Sequence, residues 1–198
     1  FRRVLFRSGG GAITREFGLV PAAVTHNFYL WQLVTYIFLH GIVMHIVLNM
    51  FGLYMFGSEL ESAWGTREFT KFFFICGIGA ALTTVLVGPS DPTITIGASG
   101  AIYGILLAYG MTFPDRIIYL YMIVPVPAKW FVVIIGAITF YSSLSGMGGG
   151  IAYIAHLGGM VVGLIYLRGG RLLNIRGSYD RWRDRKSTRL NSSHVSES

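Results

Sequence analysis

The sequence predicts an all-α fold, a polytopic bundle of transmembrane helices. Of the 198 residues, 53% are apolar and only 13% are charged, whereas a soluble domain carries about a quarter charged residues. The mean hydropathy is +0.58, and the 26 glycines suit helices that pack closely within a membrane. These values exclude a disordered chain, a disulfide scaffold and most water-soluble enzymes. The single cysteine, Cys76, lies in an apolar run, and we expect it to be inert packing.

The two ends of the chain differ from the rest. FRRVLFRS (1–8) and DRKSTRLNSSH (184–194) resemble translated sequencing-library adapters, so we expect 1–8 and 184–198 to be artefacts. The alternative is a basic juxtamembrane segment and a polar tail. Setting these ends aside removes six basic and two acidic residues, which lowers the net charge from +7 to +3. The other basic residues lie in loops between apolar runs and form no stripe, so no nucleic-acid partner is expected.

Five apolar runs are candidates to cross a bilayer, whose core of about 30 Å needs roughly 20 helical residues. Pro125 and Pro127 interrupt a longer apolar stretch, so we assign 117–127 to an interfacial connection. The segment before residue 38 is too short and polar for a span and is predicted to be a loop. The predicted spans are 38–57, 69–88, 95–113, 129–145 and 151–168. The predicted regions are an outer-loop remnant (9–37), a membrane domain (38–168) and a cytoplasmic basic tail (169–183).

Basic residues in the loops predict the orientation, because short cytoplasmic loops are enriched in Lys and Arg. Only Arg15 lies on the opposite side. We therefore expect a multi-pass protein of a bacterial cytoplasmic membrane, with a cytoplasmic C-terminus and with spans one, three and five entering from outside. The nine basic residues on the predicted inner side are Arg67, Lys71, Arg116, Lys129, Arg168, Arg171, Arg176, Arg181 and Arg183.

Polar side chains inside predicted spans are costly and by default indicate function, and four of them stand out: His45, Asn49, Ser99 and His156. At 1.5 Å of rise per residue, Ser99, His156 and His45 lie about 6, 8 and 10 Å below the outer ends of their spans. These three spans run in the same direction, so the groups share one level near the outer surface. Asn49 is four residues after His45 and therefore shares its helix face. Each has a structural alternative: an interhelical hydrogen-bond pair for His45 and Asn49, back-bonding to a carbonyl for Ser99, and a satisfied polar contact for His156.

Small residues supply a reason for Ser99 and His156 to meet. Gly100, Gly104 and Ala108 recur at every fourth position of span three, and Ala155, Gly159 and Gly163 do so in span five. Such stripes allow two helices to touch along their backbones. Close crossing would bring the Ser99 hydroxyl within hydrogen-bond reach of the imidazole. Plain helix packing without chemistry is the alternative.

Three motifs carry a resemblance to the rhomboid intramembrane serine proteases, and it covers roughly residues 17–168. They are HGIVMHIVLN (40–49), GASG (97–100) and AHLGG (155–159). Their order, spacing and placement in alternate spans are similar to those of the family. Further matches are Trp31 with Gln32 before the first motif, where the family often has arginine at the second position, and Glu61 with Gly65 after span one. The family usually has one more helix before the first motif, so we expect five of six spans here and a missing native N-terminus.

The resemblance implies a function for each motif residue. Ser99 would be the nucleophile and His156 its general base, in a dyad because the nearest acidic residue, Asp91, lies in the outer loop. His45, Asn49 and the backbone N–H of Ser99 would form the oxyanion hole. Tyr103 would stack on the imidazole; its alternative is a lipid-facing or packing role. Gly97 and Gly100 would support the nucleophile.

The same resemblance implies the substrates, and two other functions are alternatives. The substrates would be transmembrane proteins within the lipid bilayer, cut near their outer ends, and the glycine-rich loop 145–150 would be a mobile cap. We expect no metal and no other cofactor, since two histidines are too few ligands. One rival is a non-catalytic rhomboid-like protein that binds or escorts membrane clients. Another is a small transporter, which would have polar groups throughout the bilayer depth.

Overall fold

A computed structural model of the chain describes residues 9–120, 123–145 and 150–171, and these are mostly helical. The predicted fold class, a bundle of apolar helices, is confirmed. The predicted end segments 1–8 and 184–198 and most of the basic tail lie outside the described residues. The helices are α1 (Gly9–Phe17), α2 (Pro21–Asn27), α3 (Gln32–Thr35, extended as a 3-10 turn over Tyr36–Phe38), α4 (Val43–Gly52), α5 (Ser58–Trp64), α6 (Thr66–Val87), α7 (Ser99–Thr112), α8 (Ala128–Leu144) and α9 (Gly150–Tyr166).

Five helical segments correspond to the five predicted spans. Val43–Trp64, Thr66–Val87 and Ala152–Gly169 are long and apolar enough to cross a membrane. α7 and α8 are apolar but shorter. The 14 residues of α7 rise about 21 Å, less than the bilayer core of about 30 Å. At least one end of α7 therefore lies within the apolar layer.

The first and third spans differ from their predicted bounds. The first begins at Val43 and continues to Trp64, because a π-helical turn over Leu53–Gly57 joins α4 to α5. It stops at Gly65, whose φ of 87° breaks the helical path. The third begins at Ser99 rather than at residue 95, because the backbone of Thr95 pairs with that of Leu19 instead of entering a helix. The predicted depths of His45 and Ser99 are therefore wrong in detail: both lie in the first turn of their helices.

The predicted loop before residue 38 is instead built from the short helices α1, α2 and α3. The side chain of Gln32, fully buried, holds them together: Oε1 accepts a hydrogen bond from the Val20 N–H, and Nε2 donates to the carbonyls of Arg15 and Glu16. Where the family often has arginine, glutamine thus anchors the segment with its own amide. These helices are too short for a clear apolar period, so they could not be predicted from periodicity.

The predicted interfacial connection contains a short antiparallel hairpin. β1 (Ile117–Leu120) pairs with β2 (Val124–Pro127), with Ile117 opposite Pro127. Both prolines lie in β2, an edge strand, where a missing N–H is tolerated. The hairpin joins α7 to α8 at the predicted inner side.

A side-chain cluster ties α5 to the adjacent end of α7. The Glu59 carboxylate accepts a hydrogen bond from the Tyr109 hydroxyl at 2.9 Å and a second one from the guanidinium of Arg116. This contact raises the pKa of Arg116. Glu61 is the residue that matches the family pattern, but the ion pair with Arg116 is made by Glu59, which no motif indicated.

Helices α7 and α9 meet along their small residues, as the stripes predicted, and α6, for which no stripe was predicted, packs against both. A Cβ atom added at Gly159 would overlap the carbonyl oxygen of Gly100. One added at Gly163 would lie 3.4 Å from the Cα of Gly104, and one at Gly100 would lie 2.6 Å from the Cβ of Ala80. The backbones of α7 and α9 are therefore in direct contact, with α6 closing the third side.

We expect Gly159→Val to prevent α7 and α9 from closing. Its side chain would meet rigid backbone, so the cost should exceed the about 1–3 kcal/mol typical of overpacking. Thermal unfolding of the purified protein in detergent measures it. Gly136→Ala is the matched control, since its added Cβ would lie 3.4 Å from the flexible end of Met160. A Gly159→Val protein as stable as Gly136→Ala would contradict the close crossing.

Candidate active site

The turn before α7 sets the position of Ser99. Gly97 has φ of 115°, a conformation that side-chain-bearing residues rarely adopt. Its N–H donates to the carbonyl of Tyr36 at 2.8 Å, which ties the turn to α3. Ser99 is the first residue of α7, so its own N–H has no acceptor within the helix. The hydroxyl and this backbone donor therefore lie together at a helix N-terminus.

The side chains of Ser99 and His156 are hydrogen-bonded. Ser99 Oγ lies 2.7 Å from His156 Nε2, although the residues are 57 positions apart in the chain. Ser99 precedes Gly100 and His156 lies three residues before Gly159, so the backbone contact between α7 and α9 determines this distance. A hydroxyl within hydrogen-bond reach of a neutral imidazole is the arrangement by which a base activates a serine.

Tyr103 lies against the face of the imidazole. The two ring centroids are 4.2 Å apart and the planes differ by 3°. Nδ1 of His156 is buried, and no side chain or backbone group of the described residues accepts a hydrogen bond from it. The orientation of the ring therefore depends on the stacked tyrosine and on Ser99, without a carboxylate partner.

The side chains of His45 and Asn49 converge on the turn beside Ser99. A Cβ added at Gly97 would lie 2.6 Å from His45 Nε2 and 3.4 Å from Asn49 Nδ2. Asn49 is 6% exposed, and its Nδ2 finds no partner in the described part of the chain. A buried amide N–H without an acceptor is costly. An oxygen atom beside Gly97 would satisfy this donor.

The structure thus brings together every site residue that the sequence indicated, and it adds two. His40 packs edge-on against His45, with ring centroids 5.1 Å apart. Thr139 of α8 lies against the hydroxyl of Tyr103. His40 belongs to the first motif and could have been singled out; a lone threonine in an apolar helix carries no such signal. Residues 146–149 of the predicted cap lie outside the described residues. Within the described ranges, no three His, Cys, Asp or Glu side chains cluster closely enough to hold a metal ion.

Comparisons with known proteins point to one family. The Rhomboid domain model matches residues 27–170. Rhomboid protein 1, mitochondrial, of Saccharomyces cerevisiae is 30% identical over 139 residues, which are 65% of this chain and 38% of that protein. Rhomboid-like protease 3 of Toxoplasma gondii is 35% identical over 89 residues, 45% of this chain and 33% of that protein. RHOMBOID-like protein 5 of Arabidopsis thaliana is 30% identical over 92 residues, 46% of this chain and 30% of that protein.

The fold and the site define an integral membrane protein of apolar helices that enclose a hydrogen-bonded serine and histidine. Because the family match covers more than half of the chain, the chain belongs to the rhomboid family. It spans 30% to 38% of the length of the three relatives.

Proposed function

We propose that this chain is an intramembrane serine endopeptidase that cleaves transmembrane helices of other proteins near their outer ends. The observation that carries the proposal is the 2.7 Å separation of Ser99 Oγ and His156 Nε2 inside a membrane-spanning bundle. Family membership supports the same class, and one of the relatives is named as a protease.

In the first step, Ser99 would attack the scissile carbonyl carbon. A bond forms between Oγ and that carbon, the hydroxyl proton moves to His156 Nε2, and the carbonyl π electrons move onto oxygen. Collapse of this intermediate breaks the C–N bond, and His156 returns the proton to the leaving amine. A water molecule, deprotonated in the same way, then hydrolyses the acyl-enzyme.

The negative oxygen of the intermediate needs donors, because the apolar layer offers little solvation. The Asn49 amide, His45 Nε2 as an N–H donor and the Ser99 backbone N–H are the proposed oxyanion hole. Two observations support it: Asn49 Nδ2 is buried with no partner among the described residues, and His45 Nε2 lies beside the same turn. Donors already fixed in place stabilise the transition state without reorganisation.

Tyr103 is proposed to replace the aspartate of a triad as the group that orients the base. Its parallel ring limits tilting of the imidazole, while Ser99 limits rotation in the ring plane. A peptide bond within a regular helix is shielded, so we expect cleavage where small or helix-breaking residues weaken the substrate helix.

The site is proposed to face the outer side of the membrane. The basic residues in the loops support this orientation, because Arg67, Arg116 and Lys129 lie at the opposite helix ends. The three relatives described above are all eukaryotic, so the predicted bacterial membrane receives no support from them.

Ser99→Ala and His156→Ala should each abolish labelling by a fluorophosphonate probe and cleavage of a transmembrane reporter. In labelling, Oγ bonds to phosphorus, fluoride leaves and the proton passes to His156, so both residues are needed. Ser143→Ala is the control: it removes a serine hydroxyl on a different helix, α8, and should retain both labelling and cleavage. Undiminished labelling in Ser99→Ala would refute the nucleophile. A folded wild-type chain that is never labelled would favour the non-catalytic, client-binding role.

Asn49→Ala should slow cleavage by about 10²- to 10³-fold, the usual effect of losing one oxyanion donor. Its unfolding temperature should change little, since no described hydrogen bond is lost with Nδ2. Initial rates and thermal unfolding on the same preparation test both statements. A large loss of stability with an unchanged rate per folded molecule would assign Asn49 to packing instead.

Orientation can be tested with single cysteines and a membrane-impermeant maleimide on intact cells. Ser90→Cys, in the loop between α6 and α7, should react from outside. Ser62→Cys, on α5 at the other end of the bundle, should react only after permeabilisation. Cys76 is fully buried and provides the unreactive background. The reverse pattern would place the site on the inner side.

A further inference from the structure

Thr139 is the one buried side chain in the outer half of α8, residues 136–144. It is 2% exposed, whereas Ile138, Phe140 and Tyr141 beside it are 56% to 69% exposed. The inner half of α8 packs more tightly against α7, since a Cβ added at Gly110 would lie 2.7 Å from Val132. The contact made by Thr139 is therefore one attachment of the outer half of α8 to the bundle, beside the contact of Gly136 with Met160 of α9.

The hydroxyl of Thr139 connects two groups. It donates to the carbonyl of Ile135 at 2.7 Å, which uses its only proton. The Tyr103 hydroxyl lies 3.4 Å away. With that proton on the Ile135 carbonyl, the Thr139 oxygen is free to accept a hydrogen bond from the Tyr103 hydroxyl, across a contact longer than a typical O–H···O bond. The tyrosine hydroxyl thus contacts α8, while the face of its ring lies on His156.

We propose that Thr139 is a positioning residue for the general base and acts through Tyr103. This inference depends on the proposed dyad. His156 Nδ1 has no partner in the described structure, so the stacked tyrosine is a principal restraint on the tilt of the imidazole. Attachment of the tyrosine hydroxyl to α8 couples the position of that helix to the alignment of Nε2 with Ser99. If the outer half of α8 moves away, this restraint is lost.

A double-mutant cycle on the full chain in lipid vesicles tests this coupling. The variants are Thr139→Val, which keeps the shape and removes the hydroxyl, Tyr103→Phe, which keeps the ring and removes the donor, and their combination. The readouts are the rate constant of Ser99 modification at saturating fluorophosphonate and the probe concentration at half-saturation. Thr139→Ser is the rescue variant and Ser143→Ala the control on the same helix.

We expect each single variant to lower the saturating rate about two- to tenfold, the range for one neutral hydrogen bond, with an unchanged half-saturating concentration. The double variant should be no slower than the slower single variant, because both changes remove the same bond. Thr139→Ser and Ser143→Ala should react at the wild-type rate.

Three results would overturn the inference: a wild-type rate in Thr139→Val, losses that multiply in the double variant, or a Thr139→Val defect that Thr139→Ser does not rescue. Failure of the proposed function is distinguishable, because then the wild-type chain itself would not be labelled at Ser99. Thermal unfolding of each variant separates a slower site from a smaller folded fraction.

Discussion

Direct backbone contact between α7 and α9 is the constraint on which the site depends. Gly159 has no room for a Cβ against the carbonyl of Gly100, and a Cβ added at Gly163 would lie 3.4 Å from the Cα of Gly104. Ser99 and His156 lie next to this contact, so the distance between their side chains follows from the distance between the helices. Larger residues would separate the helices by more than a hydrogen bond can span. In a membrane, where apolar burial does not drive helix association, such close packing also stabilises the bundle.

Around this contact the structure keeps polar atoms that the described residues leave unpaired. Asn49 Nδ2, His156 Nδ1 and His40 Nε2 are all buried without a hydrogen-bond partner in those ranges, as is Trp64 Nε1 at the other end of the first span. Of the first three residues, His156 is bonded to Ser99, Asn49 lies beside the turn before it, and His40 packs on His45. A bundle selected for stability alone would replace them with apolar groups. Their retention is consistent with a site that satisfies them only when a reacting oxygen and its proton are present. In the proposed mechanism, the stacking of Tyr103 on the imidazole and its contact with Thr139 of α8 align the base.

The sequence predicted which membrane spans exist and which side chains meet, but it did not predict where the helices begin and end. The five spans and the approach of Ser99 to His156 could be predicted, because apolar length and small-residue spacing express the physics of a bilayer directly. The continuation of the first span to Trp64 could not, since Glu59 and Glu61 look too polar for a span until Glu59 is seen paired with Arg116. The start of α7 at Ser99 depends on the pairing of Leu19 with Thr95, which are far apart in the chain. Gln32 stands where the family often has arginine, and only the structure showed that its amide reaches three backbone groups.

The sequence by itself determined that the chain crosses a membrane, which helices carry the polar groups, and which glycines permit close approach. These properties are local: they depend on the length, periodicity and size of neighbouring residues. Only the tertiary structure decided which atoms face each other: Nε2 with Oγ, the tyrosine ring with the imidazole, and the threonine of α8 with the tyrosine hydroxyl. The reason is that such contacts form or fail on differences of a few tenths of an ångström in the distance between helices. That distance is set by all the packed residues together.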